Sequence, residues 1–542
     1  MAVTSHTVLA TLTSGLPDNE FNAGSGELFG VALGSDGSLL WTLSSAVDDG
    51  SGPGFHVWSA EVWVENTEMV VVVASLAGKA TLAGQTFDSG SPTDSMVVVL
   101  ALNPANGDYL WSSTWDVPEF GGRVALALDP DQDSLVVAAY ITTSATVTPA
   151  EDPGTGPPVP KQVQCATHAN ATRREQCSLV VGYSAAKGQI VYTSVAMPEL
   201  DGSITPTDLV FSKTDNAFFM VGQMYGCVVF PGSNLPVCVP DVPNGGSSFQ
   251  GVFVAQLDVV NGNLMQGHGY NTGALSETVY GTSVDVDAEG NVYVVGTFRG
   301  AAKFGTFNLA ASGNTWSLFV FKLDVASSEP AWAEKVSSDG ADVGSGVHVT
   351  PSSQDVMVVG VVAGSIEVQG MAVNVSQGVV LAQFLTSTGA IEFATVQEGT
   401  LMGTDFALGP AVAGGDDVVP MVLVGGFYND SASVFDVAII HYVDTPQPPS
   451  PPSPPIVSGV TTASSSGLAP SQHHHKKHVG IVIGIFFGTM VLVASLVLGF
   501  IYVRHRSGNF PHQRLAPSAR TANLDDSLTS PSVSSRDGYG AL

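Results

Sequence analysis

Between residues 27 and 443 one alternation of apolar and polar positions recurs. A short β-branched run ending near Gly or Ala is followed by a variable loop, a second apolar run, and a turn leading to an aromatic. The first run stands at 69–74, 135–139, 217–222, 292–296, 356–360 and 421–425. The second stands at 96–102, 179–183, 252–257, 318–323, 379–384 and 437–442. Several copies close with Gly-x-Φ-x-aromatic, as from Gly37 to Trp41, Gly107 to Trp111, Gly188 to Tyr192 and Gly389 to Phe393. Successive first runs lie about 65 to 80 residues apart, which is the period of a repeat unit. Runs this short, rich in Val and bounded by Gly, Asn and Asp, predict antiparallel strands, and no helical period competes. The sequence AEGN at 288–291, between two alternating runs, predicts a hairpin turn.

A four-stranded unit of this kind cannot bury both faces alone, so the copies must stack. Radial stacking also removes exposed sheet edges and gives a β-propeller. Counting units predicts six blades, with the isolated segment 28–41 supplying the outer strand that the last unit lacks after Tyr442. Seven blades is the alternative if residues precede those given. The predicted fold class is all-β, a propeller over 27–443, plus one C-terminal transmembrane α-helix.

That helix is read at 479–503 (VGIVIGIFFGTMVLVASLVLGFIYV), twenty-five positions without a charge. At about 1.5 Å per residue it would reach roughly 37 Å, enough for a hydrocarbon core of about 30 Å. Residues 444–478 read as a stalk, whose TPQPPSPPSPP at 445–455 favours extended polyproline II, a semi-rigid spacer. Its Ser-Pro-Pro repeats are similar to those of the Pro-rich cell-wall glycoproteins of plants and green algae. His473, His474, His475 and His478 with Lys476 and Lys477 make a solvated basic collar before the span. Residues 504–542 are rich in Ser and Pro, have no apolar period, and predict a disordered cytoplasmic tail. The tail ends in Tyr539-Gly-Ala-Leu542, which fits the Y-x-x-Φ sorting pattern, a match short enough to arise by chance. Residues 1–26 lack the basic n-region and long apolar run of a signal peptide. Either this N-terminal segment is incomplete or the late span targets the chain.

Charge sharpens the division. Only 12% of residues are charged, and 18 Lys and Arg against 48 Asp and Glu give a net charge of −30. Five Arg against three Asp after the span leave everything before it at −32. Such a surface repels nucleic acid and anionic headgroups, which disfavours those partners. The alternative is that the acidity serves solubility alone. All four cysteines precede the span. Cys165 with Cys177, and Cys227 with Cys238, each bracket a short loop rich in Pro, Asn and Gly. Two local disulfides are the expectation, suited to an oxidising compartment, with four free thiols as the alternative.

The unit spanning 279–332 is the clearest copy. It resembles the β-propeller repeat family (SBBP-type), whose core Asp-x-x-Gly-Asn-x-Tyr-Val-x-Gly is matched by Asp287, Gly290, Asn291, Tyr293, Val294 and Gly296. The other units keep the strands without the Gly-Asn. The resemblance implies a propeller and no particular activity.

Chemical signatures are few. There is no G-x-S-x-G, HExxH or CxxC, and the His, Lys and Arg residues share no position between units. Asp129-Pro-Asp131-Gln-Asp133 begins like a calcium loop but lacks its later Gly and Glu, so it reads as a hairpin turn. No metal or cofactor is expected. Sequons at Asn170, Asn374 and Asn429 all fall between predicted strands, although three is no more than chance supplies. Gly480, Gly484 and Gly488 make one flat helix face along which a second copy could pack as a homodimer.

The reading is a non-enzymatic, single-pass plasma-membrane glycoprotein, its propeller extracellular and its C-terminus cytoplasmic. The orientation follows Arg504, Arg506 and Arg514 beside the span. The propeller would bind an extracellular protein or glycan as a receptor or adhesion module. Two alternatives stand beside it. One is a membrane-anchored propeller enzyme (hydrolase, lyase or quinone-type dehydrogenase), which needs His, Arg or carboxylates converging at the central channel. The other is a structural tether between wall and membrane.

Overall fold

The computed structural model describes residues 69–398 apart from short loops, together with the strands given below between 6 and 65 and between 408 and 443. The chain divides into two compact units, Met1–Ser450 and Pro451–Leu542, and the second lies outside the described residues. Every regular element among the described residues of the first is a strand.

Among the described residues seven successive units follow one another along the chain. The hairpins inserted in the second to fifth units hydrogen-bond to a strand of the preceding unit, or of the linker after it, rather than to their own unit. The first is β1 (His6–Leu12), β2 (Glu27–Leu33) and β3 (Leu39–Ser44), with the short β4 (Ala46–Val47) after it. The second has β5 (His56–Glu65) and β6 (Met69–Ala77), an inserted hairpin β7 (Lys79–Leu82) and β8 (Gln85–Asp88), then β9 (Ser95–Leu102) and β10 (Tyr109–Val117). The third has β11 (Val124–Asp129), β12 (Ser134–Ile141), the insert β13 (Ser144–Thr148) and β14 (Lys161–Gln164), then β15 (Cys177–Ser184) and β16 (Gln189–Pro198). The fourth has β17 (Ser203–Ser212), β18 (Ala217–Tyr225), the insert β19 (Cys227–Val229) and β20 (Val237–Cys238), then β21 (Gln250–Asp258) and β22 (Leu264–Asn271). The fifth has β23 (Thr278–Val286), β24 (Val292–Arg299), the insert β25 (Ala301–Phe304) and β26 (Phe307–Ala310), then β27 (Trp316–Asp324) and β28 (Glu329–Val336). The sixth is β29 (Val343–Val349), β30 (Asp355–Val368), β31 (Met371–Leu385) and β32 (Ile391–Glu398). The seventh is β33 (Leu408–Gly409), β34 (Pro420–Asn429) and β35 (Val434–Val443).

Each full sheet is an antiparallel meander. The two apolar runs read from the sequence are its second and third strands, buried on both faces, as in the fully buried β9 and the nearly buried β12 and β24. The first strands neighbour one another in order from β5 through β11, β17, β23 and β29 to β33, while β1 lies against both β5 and β34. Meanders whose first strands ring a common centre are the arrangement of a β-propeller. The segment 28–41 differs from its predicted place. It pairs with β1 rather than beside β35. The physical reason is that His6–Leu12 is itself a strand able to take up that edge.

The core is a series of slabs, one per pair of adjacent sheets. Trp115, Val137 and Tyr183 fill the slab between the second and third sheets, and Tyr293, Trp332 and Phe384 the slab between the fifth and sixth. A fully buried aromatic or aliphatic side chain is worth about 1.5–3 kcal/mol, so no sheet is stable without its neighbours.

Two devices fasten each sheet to the next. At the rim formed by the first-to-second and third-to-outer turns, the closing aromatic of one sheet lies on the turn of its successor. Trp41 Nε1 donates to Pro104 O at 2.8 Å, Trp111 Nε1 to Ala185 O at 2.9 Å, and Trp332 Nε1 to Thr386 O at 2.9 Å. The rings rest where Gly107, Gly188 and Gly389 have no side chain, and a Cβ on Gly107 would stand 2.9 Å from Trp41. These glycines have φ of +73°, +64° and +73°, a left-handed turn that favours Gly anyway. Tyr192 sits on Gly262 in the same way, with Ser194 Oγ donating to Gly262 O at 2.9 Å. Between the fourth and fifth sheets Gln266 Nε2 donates to Ser328 Oγ instead.

At the opposite rim the hairpin inserted between the second and third strands reaches back to the preceding sheet. β7 pairs with β4, β13 with the outer strand β10, β19 with β16, and β25 with β22. In the sixth sheet the extended β30–β31 hairpin makes the equivalent bridge, from Ile366 to Ser338. These straps were read from the sequence only as variable loops.

Gly188→Ala should cost about 2–4 kcal/mol, because it adds left-handed strain to a clash with Trp111. Gly84→Ala is the control: at φ +77° with open space around it, it should cost only about 1–2 kcal/mol of backbone strain. Urea unfolding followed by tryptophan emission measures both. Equal costs at the two sites would remove the ring-on-glycine contact from the account of stability.

Candidate functional site

The first strands line the ring centre, and three of them carry polar side chains toward one another. Each contains a bulge, at Thr207 in β17, Thr282 in β23 and Ser345 in β29. Counting from the bulge aligns Asp208 with Ser283 and Gly346, and Val210 with Asp285 and His348. The bulge threonines themselves tie sheets together. Thr207 Oγ1 lies 3.0 Å from Gly281 O, and Thr282 Oγ1 2.8 Å from Gly344 O.

A first strand has a partner on one side only, so alternate N–H groups point toward the ring centre unpaired. Carboxylates meet them. Asp208 Oδ1 accepts from Leu209 N at 2.8 Å, and Oδ2 accepts from Val284 N and Ser283 Oγ, both at 2.7 Å. Asp285 repeats the pattern one step on: Oδ1 accepts from Val286 N at 2.8 Å and Oδ2 from Val349 N at 2.7 Å. Ser283 Oγ also accepts from Val347 N at 3.4 Å. Each carboxylate therefore clips the equivalent amides of two successive first strands.

His348 completes the group, with Nδ1 3.0 Å from Asp285 Oδ2 and about a fifth of its side chain exposed. Burial works against its protonation, but the hydrogen bond and charge of Asp285 outweigh that and hold it above the ordinary imidazole value. Asp208 keeps some surface at the ring centre, yet protein surrounds it on nearly every side. That burial pushes its carboxyl up to about 7 despite the hydrogen bonds from Ser283, Val284 and Leu209, with Asp285 adding to the rise. Asp342, fully buried against Ser338, is pushed up by burial to about 6. A carboxyl raised to about 7 and an imidazole held above its ordinary value at a ring centre can exchange protons with a bound polar ligand or hold a basic one.

The two expected disulfides are formed, Cys165–Cys177 and Cys227–Cys238. Both fasten inserted segments. The first closes the loop from β14 to β15, in which buried Glu175 accepts from His168 N at 2.6 Å and lies 2.9 Å from His168 Nδ1. The second closes the β19–β20 strap. Asn374 falls on β31 and Asn429 ends β34, while Asn170, Gly480, Gly484, Gly488 and the whole segment 479–503 lie outside the described residues. No helix among the described residues is long and apolar enough to cross a membrane.

Asp133 takes part in a turn, accepting from Ser184 Oγ at 2.7 Å and Ala186 N at 2.6 Å. Asp287, Gly290, Asn291 and Tyr293 also form a turn clasp. Asp287 accepts from Asn291 N at 2.8 Å, Asn291 Nδ2 at 2.8 Å and Tyr293 Oη at 2.9 Å. Asp208, Ser283, Asp285 and His348 were not among the residues singled out from the sequence. The position three residues past the bulge is Val210, Asp285 and His348 in the three strands, so His348 meets a carboxylate of the preceding sheet rather than another His. The signal was the bulge: only when that extra residue is counted do the positions line up.

No protein-family model and no curated protein matches the chain. Among solved structures it is similar to one described as the Dos1 propeller, at 9% identity over 61% of this chain and 72% of that one, TM-score 0.29. It is similar to the quinohemoprotein alcohol dehydrogenase of Comamonas testosteroni at 11% identity over 79% of this chain and 72% of that one, TM-score 0.32. The C-terminal domain of Pseudomonas aeruginosa PilY1 is a third, at 9% identity over 77% of this chain and 90% of that one, TM-score 0.27. These scores are too low to carry detail, and the propeller arrangement rests on the strand pairing.

Asp208 and Asp342, raised by burial, favour the folded state most at low pH and lose that stability as pH rises from about 4 through about 7 and about 6 respectively. His348, also raised, contributes stability below 6.5 that is lost as pH rises through its folded value. All three signs agree, so Tm should rise as the buffer is taken from pH 8 to pH 5. His348→Gln should flatten the upper part of the curve. A Tm that climbs with pH over this range would overturn the assignment.

Proposed function

We propose that this chain is a single-pass surface protein that holds a propeller of seven blades, two of them three-stranded, outside the membrane as a binding module. The anchor is the apolar segment 479–503, and the stalk 444–478 spaces the propeller from the surface. The observation that supports the reading is the pair of disulfides, since such bonds persist in oxidising compartments and favour a non-cytosolic N-terminal part. The straps that bear these bridges, and the sequons Asn374 and Asn429, belong to connections between second and third strands. N-glycans would therefore gather on one rim. The ligand is read as an extracellular protein or glycan, and a homodimer through Gly480, Gly484 and Gly488 fits the same topology.

A second reading, a membrane-anchored propeller enzyme, is favoured by one observation: Asp208 raised to about 7 at the ring centre beside Asp285 and His348. Turnover of a polysaccharide or ester panel that disappears in Asp208→Asn would put it first.

Protease treatment of intact cells, with a tag at each end, checks the topology. The N-terminal tag should be lost and the C-terminal tag protected. Digestion of the C-terminal tag with survival of the other would sink the surface reading.

A further inference from the structure

Outer strands are the exposed edges of a propeller, and most here are guarded. β28 carries Glu329, Pro330, Glu334 and Lys335, and β32 carries Glu392 and Glu398. Charges and proline on an edge strand discourage pairing with another chain. β16 has no charge, and its one proline, Pro198, stands at the end where the strap pairs. That leaves 189–197 (QIVYTSVAM) as an uncharged run rich in β-branched residues; β22 (LMQGHGYN) is uncharged too but has no β-branched residue. Val191 stands 61% exposed in the middle of it.

The edge itself is open. The β19 strap pairs with β16 only at Met197 and Pro198, so 189–196 has no outer strand partner among the described residues. The pairing at Met197 and Pro198 shows that this edge accepts an added antiparallel strand, and β10 and β22 accept one in the same place. On its other side β16 is held by β15 from Ser178↔Ala196 to Ser184↔Gln189, and Tyr192 and Ser194 lock it onto Gly262. The free edge is therefore presented on a rigid strand.

We propose that the outer edge of β16 over 189–196 is a strand-addition site for an extended segment of a basic partner protein, which would continue the sheet alongside the strap. Main-chain hydrogen bonds supply affinity in such a complex, and alternate side chains supply specificity. Charge selects the occupant. The residues before the span carry −32, and exposed Asp108 and Asp133 outnumber exposed Lys187 on the turns beside the start of β16. A second copy of this chain would bring the same negative charge to the interface, whereas a Lys- or Arg-rich strand is drawn to it. The proposal deepens the binding-module reading and rests on it only in requiring an accessible propeller. The protease experiment tests exposure, and the peptide experiment below tests the edge.

The test uses the full chain in detergent micelles with three fluorescein-labelled probes: a (Lys-Val)4 peptide, the same peptide N-methylated at alternate amides, and a (Glu-Val)4 peptide. Fluorescence anisotropy should show saturable binding of the first and at least a tenfold loss for each of the others. Val191→Lys should weaken the first probe at least tenfold while leaving near-UV circular dichroism unchanged, and Glu334→Gln on the guarded β28 should leave binding as it was. Equal binding of the N-methylated peptide, or an unaffected Val191→Lys, would show attraction by charge alone and overturn the site. So would the absence of binding by every probe. Self-association abolished by Val191→Lys would assign the edge to a second copy and overturn the proposed occupant.

Discussion

An aromatic ring resting on the bare Cα of a left-handed glycine is the contact on which this ring of sheets depends. Each sheet is buried on both faces and has no core of its own, so its stability is that of its two interfaces. The aromatic that closes one unit has no place to go within it, and the turn of the next unit has a gap of matching shape. Trp41 on Gly107, Trp111 on Gly188, Tyr192 on Gly262 and Trp332 on Gly389 are the same join made four times. Where the aromatic and the glycine are both missing, a Gln266–Ser328 hydrogen bond takes their place. Folding of one unit therefore presents the surface on which the next one orders.

The ring centre solves a different problem. First strands cannot pair with one another, since they diverge from a common centre, and their inward amides must be met by side chains. Asp208 and Asp285 do this by bridging neighbours, which costs desolvation and leaves Asp208 near neutrality. The same groups that close the ring are thus the ones able to respond to pH or to a ligand. Structural and chemical roles are inseparable here, and a polar ligand entering the centre would compete for the hydrogen bonds that hold β17, β23 and β29 together.

Much of this was legible in the sequence. The Val-rich runs at 69–74 or 292–296 announce strands because β-branched residues pack well on a doubly buried sheet. The Gly-x-Φ-x-aromatic closing was visible too, but its purpose was not, since Trp111 and Gly188 are partners across a whole unit. The straps escaped because strands of two to five residues carry too few positions to show a period. His6–Leu12 escaped because it belongs to no copy of the recurring pattern, although Ser14-Gly15 and Pro17-Asp18-Asn19 follow it as turn signals. Asp208, Asp285 and His348 escaped because one bulged residue in each strand shifts the register, and polar residues in a short alternating run look like an ordinary solvated face.

Apart from the two disulfides, every fastening described here joins a unit to its neighbour. The disulfides close loops inside single insertions, the clips span adjacent first strands, and the straps reach back by one sheet. None of them measures the circumference. A whole unit could be lost or duplicated in evolution with each join re-forming between new neighbours, so the number of units is set only by where the ends meet. Among the described residues, the sheet of β1 to β3 and the sheet of β33 to β35 meet where β1 lies against β34, and a seam of that kind is where a ring of such units would register its count.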